Sequence, residues 1–218
     1  MNSTAVHHDY WDHFYADRAS DDVPAKPSAY AREVREDLDP DQTVVEFGFG
    51  TARDSLWFAK KGYSVLGFDF SEHAVAHAQA RANTRSVPGT FGILDLYDAA
   101  AVAACAERLA ATVSRPAIYG RFLIHSLEAS GRANLLDLAA TVLARGGSLY
   151  LEFRTGKDEG HEHVFGDDHF RVYLDPVIVV DEIEQRGGTV TSLEEGLGLA
   201  VYKSEDPHVA RVVATFSG

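Results

Sequence analysis

The sequence predicts an α/β protein built on a doubly wound, mostly parallel sheet. The first observation is the stretch 43–71, which has the pattern of a buried strand, a glycine turn, a helix and a second buried strand. The second is that strand-like and helix-like runs continue to alternate up to residue 186. The third is a closing pair of strand-like runs, 189–202 and 209–216, joined by a short turn at 204–207.

Each predicted element has a local signal. Ser28 and Ser71 are N-cap residues, Pro176 suits the first position of a helix, and Gly62 suits the position after one. The predicted helices are 29–38, 53–61, 72–83, 99–113, 132–143 and 176–186. The seven predicted strands are 43–47, 64–68, 91–94, 117–122, 148–154, 189–202 and 209–216.

Composition excludes several classes of protein. The chain has 218 residues, of which 45% are hydrophobic and 24% charged, so it can build a sizeable core. Its formal net charge of −13 makes it a poor binder of nucleic acid, since that affinity comes mostly from neutralising phosphates. The single cysteine, Cys105, excludes an internal disulfide and a cysteine-rich zinc site. Without a membrane-length apolar run or a signal-peptide pattern, we expect a cytoplasmic protein.

The first glycine turn discriminates between ligands. A dinucleotide site needs a third glycine, but here Gly48 and Gly50 are followed by the long side chain of Arg53. Glu46, just before the glycines, favours a cationic or amine-bearing ligand over a phosphate. Asp69 lies 23 residues after Glu46, a distance that suits a carboxylate accepting both ribose hydroxyls. S-adenosylmethionine meets these conditions, because it carries a ribose, a sulfonium and an amino group but no phosphate.

These motifs resemble the first two motifs of class I S-adenosylmethionine-dependent methyltransferases, and the likeness extends over most of the chain. The alternative is a nucleotide-binding or oxidoreductase domain of the same architecture. The resemblance implies a Rossmann-like sheet of seven strands with an antiparallel last strand, in a single domain over 1–218. It divides that domain into an N-terminal helical lid (1–38) and a core (39–218) with an acceptor loop at 155–173.

The resemblance also implies the cofactor residues. Asp95 meets the adenine amine in such enzymes and the backbone of Leu96 lies beside the ring, although Asp95 could instead cap a helix. The aromatic segment 7–18 could be a lid over the cofactor or a helix docked on the core. The predicted cofactor-binding residues are Tyr10, Trp11, Tyr30, Glu46, Gly48, Gly50, Arg53, Asp54, Asp69, Phe70, Asp95, Leu96 and Arg121.

Two residues near the fourth strand are catalytic candidates. His125 is placed to face the transferable methyl and could act as a base on an alcohol; alternatively it is a core histidine bonded to the backbone. Arg121 ends an apolar run and needs a partner, which could be the cofactor carboxylate, an acceptor anion or an internal acid such as Glu152.

Several cations in and around the long polar loop could hold an anionic acceptor, although each could instead be a solvated charge or part of a salt bridge. The predicted substrate-binding residues are Tyr30, Arg154, Lys157, Arg171, Tyr173 and Lys203. His161, His163, Asp167, Asp168 and His169 lack a dependable ligand spacing, so no metal is predicted.

Segments 119–127, 168–171 and 205–212 resemble a small-molecule O-methyltransferase subgroup, which includes tailoring enzymes of polysaccharide and natural-product pathways. No Asn-Pro-Pro-Tyr-type motif follows the fourth strand, which argues against the branches that methylate nitrogen in DNA and protein. We therefore expect O-methylation of a small anion, with a phosphonate in antibiotic biosynthesis favoured. A sugar hydroxyl with His125 as base, or a catalytically silent subunit, are the alternatives. The sequence does not choose between a monomer and a homodimer.

Overall fold

The computed structural model describes residues 26–160 and 170–216. They divide into two compact units with a boundary between Asp95 and Leu96. The expectation of a single domain over 1–218 therefore stays a prediction. Of the expected lid, only its last part is described. None of the helices in these residues combines the length and the apolar character needed to cross a bilayer.

The first unit alternates helices and strands. Its elements are α1 (Ala29–Asp37), β1 (Thr43–Phe47), α2 (Arg53–Lys60), β2 (Ser64–Asp69), α3 (Glu72–Arg85) and β3 (Thr90–Ile93). Strand β2 pairs in parallel with β1 on one side and with β3 on the other. The carboxyl ends of three parallel strands therefore lie at one edge, followed by the glycine turn, Phe70 and Leu94.

The second unit ends in an antiparallel pair of strands. Its elements are α4 (Ala99–Thr112), β4 (Pro116–Arg121), α5 (Ala129–Leu143), β5 (Ser148–Arg154), α6 (Pro176–Glu184), β6 (Gly188–Gly196) and β7 (Val209–Phe216). Short 3₁₀ turns follow β4 at Ile124–Ser126 and β5 at Gly156–Asp158. Strands β4 and β5 are parallel, and β7 runs antiparallel to both β5 and β6.

The strand order of the seven-stranded sheet is β3-β2-β1-β4-β5-β7-β6. The predicted Rossmann-like sheet, mostly parallel and with an antiparallel last strand, is confirmed. The predicted caps are also found. The Ser28 and Ser71 hydroxyls accept the backbone N–H groups of Ala31 and Ala74, and Asp175 caps α6, whose first residue is Pro176.

One predicted strand was too long. The sixth strand was expected over 189–202, but β6 ends at Gly196. Gly198 adopts the left-handed conformation, with φ of 81°, and its N–H donates to Asp206 Oδ1 at 2.7 Å. A turn closed by reciprocal backbone bonds between Tyr202 and Glu205 follows. These bonds hold the segment away from the strand direction, and the alternating side chains do not reveal them.

The core of the first unit packs α3 against the glycine turn. Ala74, Ala78 and Ala82 recur at helical spacing on α3 and form one buried cluster with Phe49, Ala52, Leu56 and Phe91. The Phe49 and Phe91 rings meet edge to face, with centroids 5.1 Å apart. Because these alanines are small, α3 packs close to the turn.

Gly67 makes room for this aromatic pair. A Cβ at this position of β2 would lie 2.7 Å from Phe91 Cδ1 and 2.9 Å from Phe49 Cδ1. Both rings are buried, so neither moves without disturbing the cluster.

Gly67→Ala should lower the free energy of unfolding by about 1–3 kcal/mol, because the added methyl overpacks the two rings. Chemical denaturation monitored by circular dichroism measures this. Gly196→Ala is the matched control, since a Cβ there meets nothing within 4 Å. Equal stability of the two variants would contradict this account of the core.

Candidate active site

The glycine turn between β1 and α2 has an unusual backbone. Gly48, Gly50 and Ala52 have φ values of 63°, 52° and 54°, in the left-handed region that favours glycine. Gly48 N–H donates to the Phe68 carbonyl at 2.7 Å, and Ala52 N–H donates to the Phe49 carbonyl at 2.8 Å. The strain at Ala52 lies where the chain enters α2, which fits a loop shaped for a ligand.

Asp69 connects this turn to the end of β2. Its carboxylate is 4% exposed; Oδ2 accepts Gly50 N–H at 2.9 Å and Oδ1 accepts Ser71 N–H at 3.1 Å. A carboxylate offers about four acceptor positions, so the Asp69 side chain can accept more donors than these two N–H groups. The residue predicted to bind ribose therefore also holds the turn in place.

Glu46 is a second buried carboxylate at this edge, with 4% exposure. Its Oε2 accepts the hydroxyl of Ser55, in the first turn of α2. This bond orients the acid next to Gly48, as the sequence predicts. Asp95 lies just after β3 and is half-buried. The N–H of the adjacent Leu94 donates to the Asp69 carbonyl at 2.9 Å, which fastens this segment to β2.

Two predicted cofactor residues of the first unit have structural partners instead. Asp54 accepts Ser28 N–H at 2.8 Å and the Ser28 hydroxyl at 2.7 Å, so it anchors the start of α1. Arg53 turns its Nε toward the same carboxylate, at 3.3 Å. Tyr30 is 1% exposed, and its contact with a cofactor or an acceptor stays a prediction. The sequence did not reveal the contact of Ser28 with Asp54 because it joins residues far apart in the chain.

In the second unit, a buried carboxylate binds two arginines. Glu152 in β5 has no exposed surface; its Oε1 is 2.7 Å from Arg121 Nε and its Oε2 accepts Arg211 Nε–H at 2.8 Å. Burying a lone carboxylate is costly, and the two cations offset that cost. Glu152 was one of the three partners that the sequence predicted for Arg121.

Phe122, the residue after β4, was not predicted. Its φ of 54° places a non-glycine residue in the left-handed region. The Arg121 guanidinium lies 4.2 Å and that of Arg154 5.3 Å from its ring centroid. The ring meets His125 edge to face at 5.4 Å. A strained aromatic residue that contacts three candidate residues is typical of a functional site.

His125 is a buried histidine bonded to the backbone. It is 3% exposed, and its Nδ1 accepts Arg154 N–H at 3.2 Å. A neutral imidazole has one protonated nitrogen, so its proton belongs on Nε2. The only unprotonated nitrogen then faces a donor, which argues against His125 as a base.

Arg154, expected to hold the acceptor, is compensated internally. It is 5% exposed; Nη1 lies 2.5 Å from Asp158 Oδ2, and Nη2 pairs with Glu205. Lys157 is exposed and bonds Glu195 at 2.9 Å. Two carboxylates around one guanidinium leave it no excess positive charge for an anion. Asp158 follows Arg154 by four residues, whereas Glu205 lies 51 residues further along the chain, too far for a local pattern to reveal.

The remaining predicted cations differ in burial. Arg171 and Tyr173 are half-buried, whereas Lys203 is exposed and lies over the Tyr202 ring at 5.4 Å. Burial raises the pKa of Tyr173, Arg171 lowers it and Asp158 raises it, so the phenol keeps its proton and can donate a hydrogen bond.

The predicted cofactor residues Tyr10 and Trp11 lie outside the described part of the chain. So do the side chains that were considered as metal ligands, namely His161, His163, Asp167, Asp168 and His169. Within residues 26–160 and 170–216, no group of three His, Cys, Asp or Glu side chains could hold a metal ion.

Comparison with known proteins agrees with this geometry. Residues 44–147 match a family described as a methyltransferase domain. No curated protein sequence matches significantly. An S-adenosylmethionine-dependent methyltransferase from Anabaena variabilis is 17% identical, with a TM-score of 0.71 over 99% of this chain and 96% of the other. The [4+2]-cyclase SpnF is 15% identical, with a TM-score of 0.70 over 97% and 95%.

A third solved structure concerns the conversion of a disulfide bond into a thioacetal group during echinomycin biosynthesis. It is 18% identical and has a TM-score of 0.72 over 96% of this chain and 92% of the other. These likenesses concern the fold. The match over residues 44–147 supports an enzyme with methyltransferase activity and S-adenosylmethionine as its cofactor.

The residues at the ends of β1 and β2 fit this cofactor. A carboxylate such as that of Asp69 suits ribose hydroxyls, and the buried charge of Glu46 suits a cationic group. When bound, S-adenosylmethionine supplies a methyl group on a cationic sulfur, ready for displacement. The task left to the chain is to bind, orient and exclude water.

Asp69→Asn should weaken binding of S-adenosylhomocysteine at least about tenfold, because the amide NH₂ cannot accept one of the two backbone N–H groups. The concentration-dependent rise in melting temperature with S-adenosylhomocysteine measures this. Asp37→Asn is the control, since Asp37 is an exposed carboxylate at the end of α1 in the same unit. Affinity within twofold of wild type in Asp69→Asn would contradict the assignment.

Proposed function

We propose that the protein transfers a methyl group from S-adenosylmethionine to an oxygen of a small anionic acceptor, with a phosphonate favoured. The observation that carries this proposal is the sharing of Glu152 by Arg121 and Arg211. Two positive charges face one buried negative charge. The only other carboxylate within 4 Å of Arg211 among the described residues is that of Glu194, which is 55% exposed and 3.9 Å away. Its effect is therefore screened by solvent.

The excess charge favours Arg121 as the residue that attracts the acceptor. Its side chain is 17% exposed, against 6% for Arg211, so Arg121 is the more accessible of the two. The Arg121 guanidinium forms an ion pair with Glu152 through Nε, and the terminal nitrogens of a guanidinium suit phosphate-type or carboxylate oxygens. Arg171 and the protonated Tyr173 supply a further cation and a donor in the same unit.

An anionic oxygen needs no base, which agrees with the hydrogen bonding of His125. A phosphate-type dianion has a second pKa of about 6 and is mostly ionised at neutral pH. Its lone pair can attack directly if cations hold and aim it. The Arg154 N–H occupies the nitrogen that an alcohol acceptor would need as a proton acceptor.

The choice of a phosphonate comes from resemblance. Segments 119–127, 168–171 and 205–212 are similar to those of the phosphonate O-methyltransferase of dehydrophos biosynthesis, an antibiotic pathway. By this reading the protein is a cytoplasmic tailoring enzyme of natural-product biosynthesis. A sugar hydroxyl is the second candidate acceptor. It needs a base other than His125, whose Nδ1 already accepts the Arg154 N–H.

An acceptor screen with methyl-labelled cofactor tests the proposal. Phosphonates should be methylated, whereas neutral sugars of similar size should not, because only an anion gains from the excess charge at Arg121. Product detection by mass spectrometry measures this. Turnover of neutral sugars alone would contradict the proposal. Tight cofactor binding with no product from any acceptor would favour a catalytically silent subunit.

Arg121→Met gives the screen its control variant. It removes the excess charge but leaves Glu152 paired with Arg211. We expect kcat/KM for the anionic acceptor to fall on the order of 10²-fold, in line with losing a charge-assisted hydrogen bond and a positive charge at a half-buried site. Arg145→Met, at an exposed arginine of the same unit, should change it less than threefold. Equal effects of the two variants would argue against Arg121 as the anion-binding residue.

His125→Asn should retain kcat within about tenfold of wild type, with an unchanged pH–rate profile, because the asparagine oxygen can replace Nδ1 as acceptor for Arg154 N–H. A general base would contribute about 10²–10⁴-fold. Single-turnover kinetics across pH measures the difference. A fall in kcat of that size, together with the loss of the rate decrease at low pH, would favour a sugar hydroxyl as acceptor with His125 as base.

A further inference from the structure

Arg81, in the first unit, contacts the glycine turn but belongs to none of the motifs that predict the cofactor site. Arg81 in α3 donates from Nη1 to the carbonyl of Thr51 at 2.6 Å. Thr51 lies between Gly50 and Ala52, two of the three positions where the turn adopts the left-handed conformation. The contact spans 30 residues of sequence, which is why the motif pattern does not reveal it.

The packing of α3 makes this contact possible. Ser71 caps the start of α3, and its N–H donates to Asp69. The alanine face of the helix packs on Phe49, Ala52 and Leu56. Arg81 lies about 15 Å further along the helix axis. One helix is thus fastened to the cofactor edge at its start, through Asp69, and to the turn near its end, through Arg81.

The two hydrogen bonds hold adjacent residues of the turn, one at an N–H group and the other at a carbonyl group. Asp69 accepts the N–H of Gly50, and Arg81 donates to the carbonyl of the next residue. A charge-assisted hydrogen bond is about twice as strong as a neutral one. Because left-handed backbone at Ala52 costs free energy, a turn of this shape needs such contacts to persist without ligand.

We propose that Arg81 is a positioning residue, which preorganises the Gly48–Ala52 turn for S-adenosylmethionine by holding the Thr51 carbonyl. Arg81 acts on affinity for the cofactor and not on the choice of acceptor. This inference therefore stands apart from the proposed phosphonate substrate, and either can fail alone.

Equilibrium dialysis with radiolabelled S-adenosylmethionine tests it on three variants of the full chain. Arg81→Met removes the donor and the charge at similar length, and Kd should rise about tenfold. Arg81→Lys keeps the charge with a single donor group, and its Kd should lie between wild type and Arg81→Met. Arg85→Met is the control, because Arg85 is an exposed cation one turn later in the same helix. Its Kd should stay within twofold of wild type.

A second measurement separates positioning from general stability. Hydrogen exchange of the amides of residues 48–52 in the ligand-free protein should be faster in Arg81→Met, whereas exchange in β5 should be unchanged. The proposal is overturned if folded Arg81→Met binds within twofold of wild type, or if Arg85→Met weakens binding equally. Should Arg81→Met not fold, wild-type affinity of Arg81→Lys, with unchanged exchange in the turn, would overturn it.

Discussion

The structure of the cofactor edge depends on the hydrogen bonds that the Asp69 carboxylate accepts from backbone N–H groups. One comes from Gly50 in the turn after β1 and the other from Ser71, where α3 begins. A buried carboxylate is stable only when it is bonded in this way, and each bond fixes a segment relative to β2. Asp69 thus holds these two segments to β2, and a carboxylate at this place can also accept hydrogen bonds from a ligand.

The second unit shows how neighbouring carboxylates decide which cations remain available. Arg154 pairs with Asp158 and Glu205 and contributes to the architecture, whereas Arg121 and Arg211 both pair with Glu152. The same residue type therefore serves different purposes at the ends of adjacent strands. The ring of Phe122 lies beside both guanidiniums, and its backbone is in the left-handed region.

Much of the fold could be predicted from sequence because its signals are local. Hydrophobic runs, the caps Ser28 and Ser71, and the glycines of the first turn each act within a few residues. The part of the site next to that turn, Glu46 and Asp69, was predicted for the same reason. What failed was the assignment of partners across the chain, such as Ser28 to Asp54 and Glu205 to Arg154. Periodicity carries no information on which charges meet, and so Arg154 was expected to hold an acceptor.

The central claim is that this edge accepts an adenosyl group without a pyrophosphate, because two buried acids face a short glycine turn. Isothermal titration calorimetry of the unmodified protein tests it directly. The account predicts that S-adenosylhomocysteine binds with a stoichiometry of one per chain and that NAD⁺ added to a second sample gives no binding heat. Absence of heat with S-adenosylhomocysteine, or saturable binding of NAD⁺ that S-adenosylhomocysteine displaces, would contradict it.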